Sequence, residues 1–289
     1  MVDAAPTRRR LGRFGTLLAA PLFLWLLALV VMPNLILVGY MFCDRDELGQ
    51  VVPRFSLEAA KSLTDPIYVR ILARSLWLSG AATALCVAFG YPVGYFIGRL
   101  PARWRSRVLL LVMIPFWTSF LVRAYAWMTL LSSNGLINAL LQYSRIVASP
   151  VDMMYTEGAV FIGIVYAYLP FTILPVYTSA EKLDATLVEA AYDLGARPWQ
   201  NFVHVILPLT RPGVVAAAMF VFVPSIGMFA IADLMGGRRV PLIGNVIEEQ
   251  FGSARNWPFG SALGTVLLTL FLGLLAWALR RDGEEALHK

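Results

Sequence analysis

The chain has 289 residues, 58% of them hydrophobic and only 15% charged, a balance that excludes an ordinary soluble domain and points to a membrane protein. Its net charge of +6 would suit a nucleic-acid binder, but most of the surplus lies in two arginine clusters beside apolar runs, which is the pattern of membrane orientation. Two cysteines, Cys43 and Cys86, and two histidines, His204 and His288, are too few and too scattered for a metal site or a disulfide framework.

Residues 1–15 form a basic tail, and the apolar run Thr16 to Phe42 behind it imitates a signal peptide. The run is too long for one, since about 20 residues already span a bilayer. With no small-residue cleavage site after it, it reads as an uncleaved first span, bent at Pro33. Asp44 to Arg70 carries five acidic and four basic residues and belongs in water outside. Ser75 to Ile97 is the second span, where Gly90, Gly94 and Gly98 place side-chain-free positions on one face for close helix packing. Four arginines and no acid between Arg99 and Arg107 put that loop in the cytoplasm, as do the four of the N-terminal tail.

Val108 to Leu131 is the third span, aromatic-rich and carrying Arg123 inside the apolar stretch. Asn134-Gly135 marks a turn, and Leu136 to Tyr143 is a short amphipathic helix at the outer surface. The fourth span, Gly158 to Tyr177, holds Pro170 and Pro175 and should be bent or broken near one end. The fifth, Gly213 to Met235, is interrupted by Pro224-Ser225-Ile226-Gly227. Non-helical backbone at that depth is tolerated inside protein or beside a water-filled cavity, so this is a candidate pathway element. Gly236 to Phe259 is external, although Arg238 and Arg239 run against the positive-inside preference. Gly260 to Leu279 is the sixth span, with glycines again four apart at Gly260 and Gly264, and 281–289 ends inside. The expectation is an all-α integral membrane protein with six transmembrane helices, both termini cytoplasmic, and one membrane domain over 16–280.

One polar stretch between spans, Glu181 to Pro212, is patterned too carefully for a passive loop. Leu183, Leu187, Ala190, Ala191 and Leu194 fall at helical spacing, Asp184 can cap the N-terminus, and Gly195 stands where a left-handed C-terminal residue is wanted. In a second helix Pro198 suits the first position, Trp199, Phe202, Val203 and Ile206 make one apolar face, and Pro208 stops it.

The residues also say where energy does not come from. No Walker phosphate loop occurs, and none of the three lysines, Lys61, Lys182 and Lys289, follows a glycine. Nor do the spans hold the chain of carboxylates and histidines that a proton relay needs. Active transport would therefore draw on a partner. Glu189-Ala190-Ala191, Gly195, Val205, Leu207 and Pro208 match, with valine for isoleucine once, the spaced EAA loop of bacterial ABC importer permeases, which this stretch resembles. That resemblance implies that the first helix of the loop docks in a cleft of an ATPase subunit, with Glu189 contacting it and Gly195 making the turn. Pro115 to Asn138 and the fifth-span PSIGMFAIADLMGG resemble the spermidine/putrescine type within that family. The type implies an inner-membrane importer with a second homologous permease, two ATPase subunits that use ATP and Mg²⁺, and a periplasmic solute-binding protein. This chain would itself bind no cofactor and perform no covalent chemistry. Its solute would be a polyamine; a modified amino acid, a phosphonate or iron on the same architecture, or an ion-coupled carrier acting alone, are the alternatives.

For the solute pathway the residues leave two readings. Arg123 costs about 2.5 to 3.5 kcal/mol at mid-span and needs a partner or a watery surface. Asp233, the acid within a span, is the candidate partner, and solute contact is the alternative. Ser225 at the break, together with Trp117, Tyr125, Trp127, Tyr166 and Tyr168, could face an amine, although aromatics near span ends also serve as interfacial anchors.

Overall fold

The computed structural model describes residues 13–46 and 49–287. Arginines 8–10 of the basic tail, His288 and Lys289 lie outside the described residues. Among the described residues the regular structure is helical except for a hairpin of two-residue strands, β1 (Asp44–Arg45) against β2 (Val51–Val52). Five helical segments among the described residues are long and apolar enough to cross a membrane: Ala20–Tyr40, Pro66–Arg99, Glu157–Glu181, Pro198–Ile226 and Trp257–Ala278. A sixth arises if the bent pair Ala102–Trp117 and Phe120–Tyr143 counts as one span.

Two compact units divide the chain, Met1–Leu63 with Gln250–Thr269 and Thr64–Glu249 with Leu270–Lys289. In the first, α1 (Arg13–Leu26) passes through a π-helical turn, Leu27–Val31, into α2 (Met32–Tyr40). The irregularity expected at Pro33 sits in the turn just before it, because a proline cannot donate to the carbonyl four residues back. Trp257, at the start of α14 (Trp257–Leu287), meets Tyr40 and Phe251 edge to face, and Leu37 lies against Gly264. The short α3 (Glu58–Ser62) follows the hairpin.

In the second unit three helices pack closely: α4 (Pro66–Arg99), α8 (Glu157–Glu181) and α11 (Leu207–Ile226). Asp65 and Thr156 cap the first two through the amides of Ile67 and Ala159. Gly94 abuts α8 so closely that a Cβ there would stand 2.8 Å from the Ile173 carbonyl oxygen and 2.9 Å from Val176. The glycine face of the second span is thus a packing face, as its spacing predicts. Arg74 on α4 and Glu157 on α8 pair at 3.1 Å across the same interface. The remaining helices are α5 (Ala102–Met113), α6 (Phe120–Leu131), α7 (Leu136–Tyr143), α9 (Ala185–Asp193), α10 (Pro198–Asn201), α12 (Phe229–Ile231) and α13 (Ile243–Phe251).

Four expectations change. The third span is not one helix: α5 passes into a 3-10 turn at Ile114–Trp117, Thr118 and Ser119 turn extended, and α6 leaves at 80°. Pro115 removes a backbone donor there, and the Thr118 hydroxyl donates to the Pro115 carbonyl at 2.8 Å, which favours the break. The fourth span is not broken, since α8 runs through Pro170 and Pro175. Proline is tolerated inside a span where neighbouring helices pack around it, and Pro170 is buried and Pro175 half-buried. Pro208 does not stop the second loop helix. It occupies an opening position of α11, where no donor is required of it, so helix continues from Pro198 to Ile226. The fifth span accordingly starts earlier than expected and ends at the anticipated break.

Candidate functional site

The stretch Glu181 to Pro212 folds from its ends inward. Asp184 accepts the Thr186 amide at 3.0 Å and starts α9. That hydrogen bond is the main reason its carboxyl lies below the ordinary range. At the other end Gly195 has φ +83°, Ala196 donates to Ala191 at 3.0 Å and Gly195 to Tyr192 at 2.8 Å. These are the two bonds of a Schellman cap, which needs a residue without Cβ at that position. Glu189 and Ala190 are exposed and Ala191 is half-buried, while Leu187 and Leu194 are 49% and 89% exposed. The apolar stripe of α9 is therefore formed but uncovered.

The second helix differs from its expected face. A π turn at Phe202–Ile206 follows α10. Its wider pitch brings positions five apart to the same side, so Asn201 and Ile206 are buried while Trp199 is 60% exposed. Val205 and Leu207 are half-buried and Pro208 is exposed. Leu207 and Pro208 open onto a groove of about 520 Å³ with Arg211, Val214, Val215, Trp277 and Ala278.

Asn201 is a residue that sequence reasoning missed. Fully buried, it donates from Nδ2 to the Val188 carbonyl at 3.0 Å and ties α9 to the helix that becomes the fifth span. Other bonds extend the connection. Arg99 at the end of α4 donates to the Leu183 carbonyl at 3.0 Å, Arg105 pairs with Glu181 at 2.9 Å, and the Tyr91 and Thr210 hydroxyls meet at 2.8 Å between α4 and α11. The loop is thereby bonded to the ends of three spanning helices. Nothing in the sequence separated Asn201 from its polar neighbours Gln200 and His204.

The break in the fifth span is also present. Helix α11 ends at Ile226, Met228 is extended, α12 is a single turn, and a π turn at Ala232–Gly236 follows. Ser225 is buried, but its hydroxyl donates to the Phe222 carbonyl at 2.8 Å. From α13, Asn245 reaches back and donates to the Phe229 carbonyl at 3.0 Å and to Asp233 Oδ1 at 2.6 Å.

That last bond bears on the expected intramembrane pair, which does not form. Asp233 is exposed and engaged by Asn245, whereas Arg123 Nε and Nη1 are buried without a hydrogen-bond partner. The Arg123 guanidinium lies instead over the Phe116 ring, 5.2 Å from its centroid. Phe116 is 5.5 Å from Tyr166, which is 5.5 Å from Trp127. Trp117 and Tyr125 point away and are 78% and 55% exposed. Of the aromatic residues expected to face an amine, Trp127 and Tyr166 are gathered near Arg123, and Phe116 joins them in place of Trp117 because the 3-10 turn at Ile114–Trp117 leaves Phe116 half-buried and Trp117 exposed.

The comparisons with known proteins agree with this architecture. Residues 90–281 match the family model of the binding-protein-dependent transport system inner membrane component. The spermidine/putrescine transport system permease protein PotB of Escherichia coli K12 is 43% identical over 251 residues, 87% of this chain and 91% of that protein. Its Haemophilus influenzae counterpart is 41% identical over 273 residues, 94% and 95% of the two chains. A crystal structure of a bacterial ABC transporter that imports the polysaccharide alginate superposes with a TM-score of 0.67 at 18% identity, covering 93% of this chain and 97% of that one. At that identity the likeness shows the fold. With its spanning helices and its family match over 90–281, the chain belongs to the binding-protein-dependent transport system inner membrane components.

Proposed function

We infer that this chain is one of two permease subunits of an ATP-driven importer and that its solute is a polyamine. The observation that carries the solute is the near full-length similarity, at 41 to 43% identity, to proteins named spermidine/putrescine permeases. In this reading both termini face the cytoplasm, a periplasmic binding protein delivers solute at the opposite face, and two ATPase subunits bind ATP and Mg²⁺. The exposed α9 offers Glu189, Ala190 and Ala191 to an ATPase cleft, and its unburied stripe at Leu187 and Leu194 supports that use. Small alanine side chains permit close approach, and the Gly195 cap keeps the helix from fraying. Motion received by α9 passes through Asn201 into the helix from Pro198 to Ile226, through Arg99 and Arg105 into the second and third spans, and so toward the break after Ser225.

The test of the solute is ligand-induced thermal stabilisation of the cognate binding protein across polyamines, modified amino acids, phosphonates and iron complexes. Stabilisation by spermidine or putrescine is expected. Stabilisation by another class alone overturns the polyamine reading and leaves the importer architecture intact.

A further inference from the structure

Among the described residues, Arg123 is the charged side chain whose buried nitrogens lack a hydrogen-bond partner. Three observations converge on it. Asp233 is held by Asn245, and the buried Arg123 nitrogens meet no anion. Its positive charge is instead met by a ring face, that of Phe116, which continues through Tyr166 to Trp127. The space enclosed by Arg123, Trp127, Tyr166 and the broken fifth span's Ile231 and Met235 retains only about 10 Å³, scarcely room for one water. A cation therefore already lies against this aromatic cluster, beside the break in the fifth span.

Ring faces recognise a cation by its charge and not by its hydrogen-bonding pattern, so an alkylammonium can replace a guanidinium there. The absence of a carboxylate suits transit, because a site of rings alone holds a cation weakly enough to release it. We propose that Phe116, Trp127 and Tyr166 form a binding site for an alkylammonium group of the transported solute, with Arg123 as the tethered cation that fills it when solute is absent. This rests on the reading of the chain as a permease for a cationic solute. Arg123 serves two ends: its bulk occupies the cluster, and its charge repels other cations from the closed pathway. Movement of α6 relative to α8 withdraws it and exposes the rings.

The complete transporter, this chain with its partner subunits, is reconstituted in vesicles loaded with radiolabelled putrescine, methylammonium or sucrose, and efflux is followed without ATP or binding protein. Arg123→Gln is expected to raise the efflux of both cations about 2- to 5-fold, the factor that corresponds to loss of one ring–cation contact, and to leave sucrose unchanged. Arg123→Lys stays near the unmodified transporter, and adding Phe116→Leu to Arg123→Gln removes most of the extra cation efflux. Unchanged cation efflux, or an equal rise for sucrose, overturns the proposal. Where the glutamine variant fails to assemble, Arg123→Met keeps an unbranched apolar stem without the buried charge or a polar amide and carries the same expectation; failure of both to assemble makes Arg123 structural and also overturns it. Neither ATP nor the binding protein enters this assay. A panel negative for polyamines alongside cation-selective efflux would thus remove only the polyamine reading, and polyamine transport with unaltered efflux would remove only the aromatic site.

Discussion

At the scale of single residues, the loop that faces the proposed ATPase depends on three side-chain decisions. Gly195 has open space around the position of a Cβ, yet its φ of +83° is one that other residues adopt at a cost. Gly195→Val should therefore destabilise the cap by about 1 to 3 kcal/mol, with Gly195→Asn milder, and co-purification of the ATPase subunits should fall in that order. Asn201→Ala removes the side-chain hydrogen bond that ties α9 to the helix of the fifth span, a loss of about 0.5 to 1.5 kcal/mol. We expect a lower melting temperature and ATP hydrolysis that no longer drives uptake. For Asp184 the folded pKa lies below the ordinary one. The hydrogen bond to Thr186 is therefore intact above the unfolded carboxylate value and is lost as the pH falls through the lower folded one. Hydrogen exchange at the Thr186 amide should show protection that disappears over that acidic window, and Asp184→Asn, which has no carboxyl to protonate, should abolish that pH dependence.

At the scale of elements, packing between helices decides what the pattern of apolar residues leaves open. The α4–α8 contact requires that Gly94 meet the Ile173 carbonyl and Val176 directly. Backbone cannot swing aside as a flexible side chain can, so Gly94→Val forces the helices apart and should cost about 1 to 3 kcal/mol, measured as a lower melting temperature in detergent. Gly39→Ala, at a position with nothing within 4 Å, is the control expected to keep the unmodified value. The break in the third span and the continuity of the fourth follow from the same principle. Pro115 removes a backbone donor where the Thr118 hydroxyl also supplies a local bond to the Pro115 carbonyl and helps to end the helix, whereas the buried Pro170 and half-buried Pro175 lie in a packed helix that continues.

At the scale of the whole molecule, the proposed orientation and the dependence on partners are both open to measurement. With Cys43 and Cys86 replaced by serine, a cysteine at Gln142 should react with an impermeant thiol reagent from the outside and one at Arg197 only from the inside; the reverse result overturns the orientation. Vesicles containing this chain alone should show no concentrative uptake, with uptake appearing when the ATPase subunits and second permease are added. Accumulation by the lone chain would restore the ion-coupled carrier. Much of this protein was legible in its sequence because the determinants are local: the cap at Asp184 acts within a turn, Gly195 sets one dihedral, and span length follows from a continuous run of apolar residues. The EAA spacing and the break after Ser225 were legible for the same reason. Only the tertiary structure decided the environment of Arg123, the role of Asn201 and the register imposed by the π turn at Phe202–Ile206. Those depend on which groups arrive from far along the chain, as when Thr210 meets Tyr91 across 119 positions or Ile243 meets Ser75 across 168. Burial and pairing are properties of the assembled helices, and no window of neighbouring residues contains them.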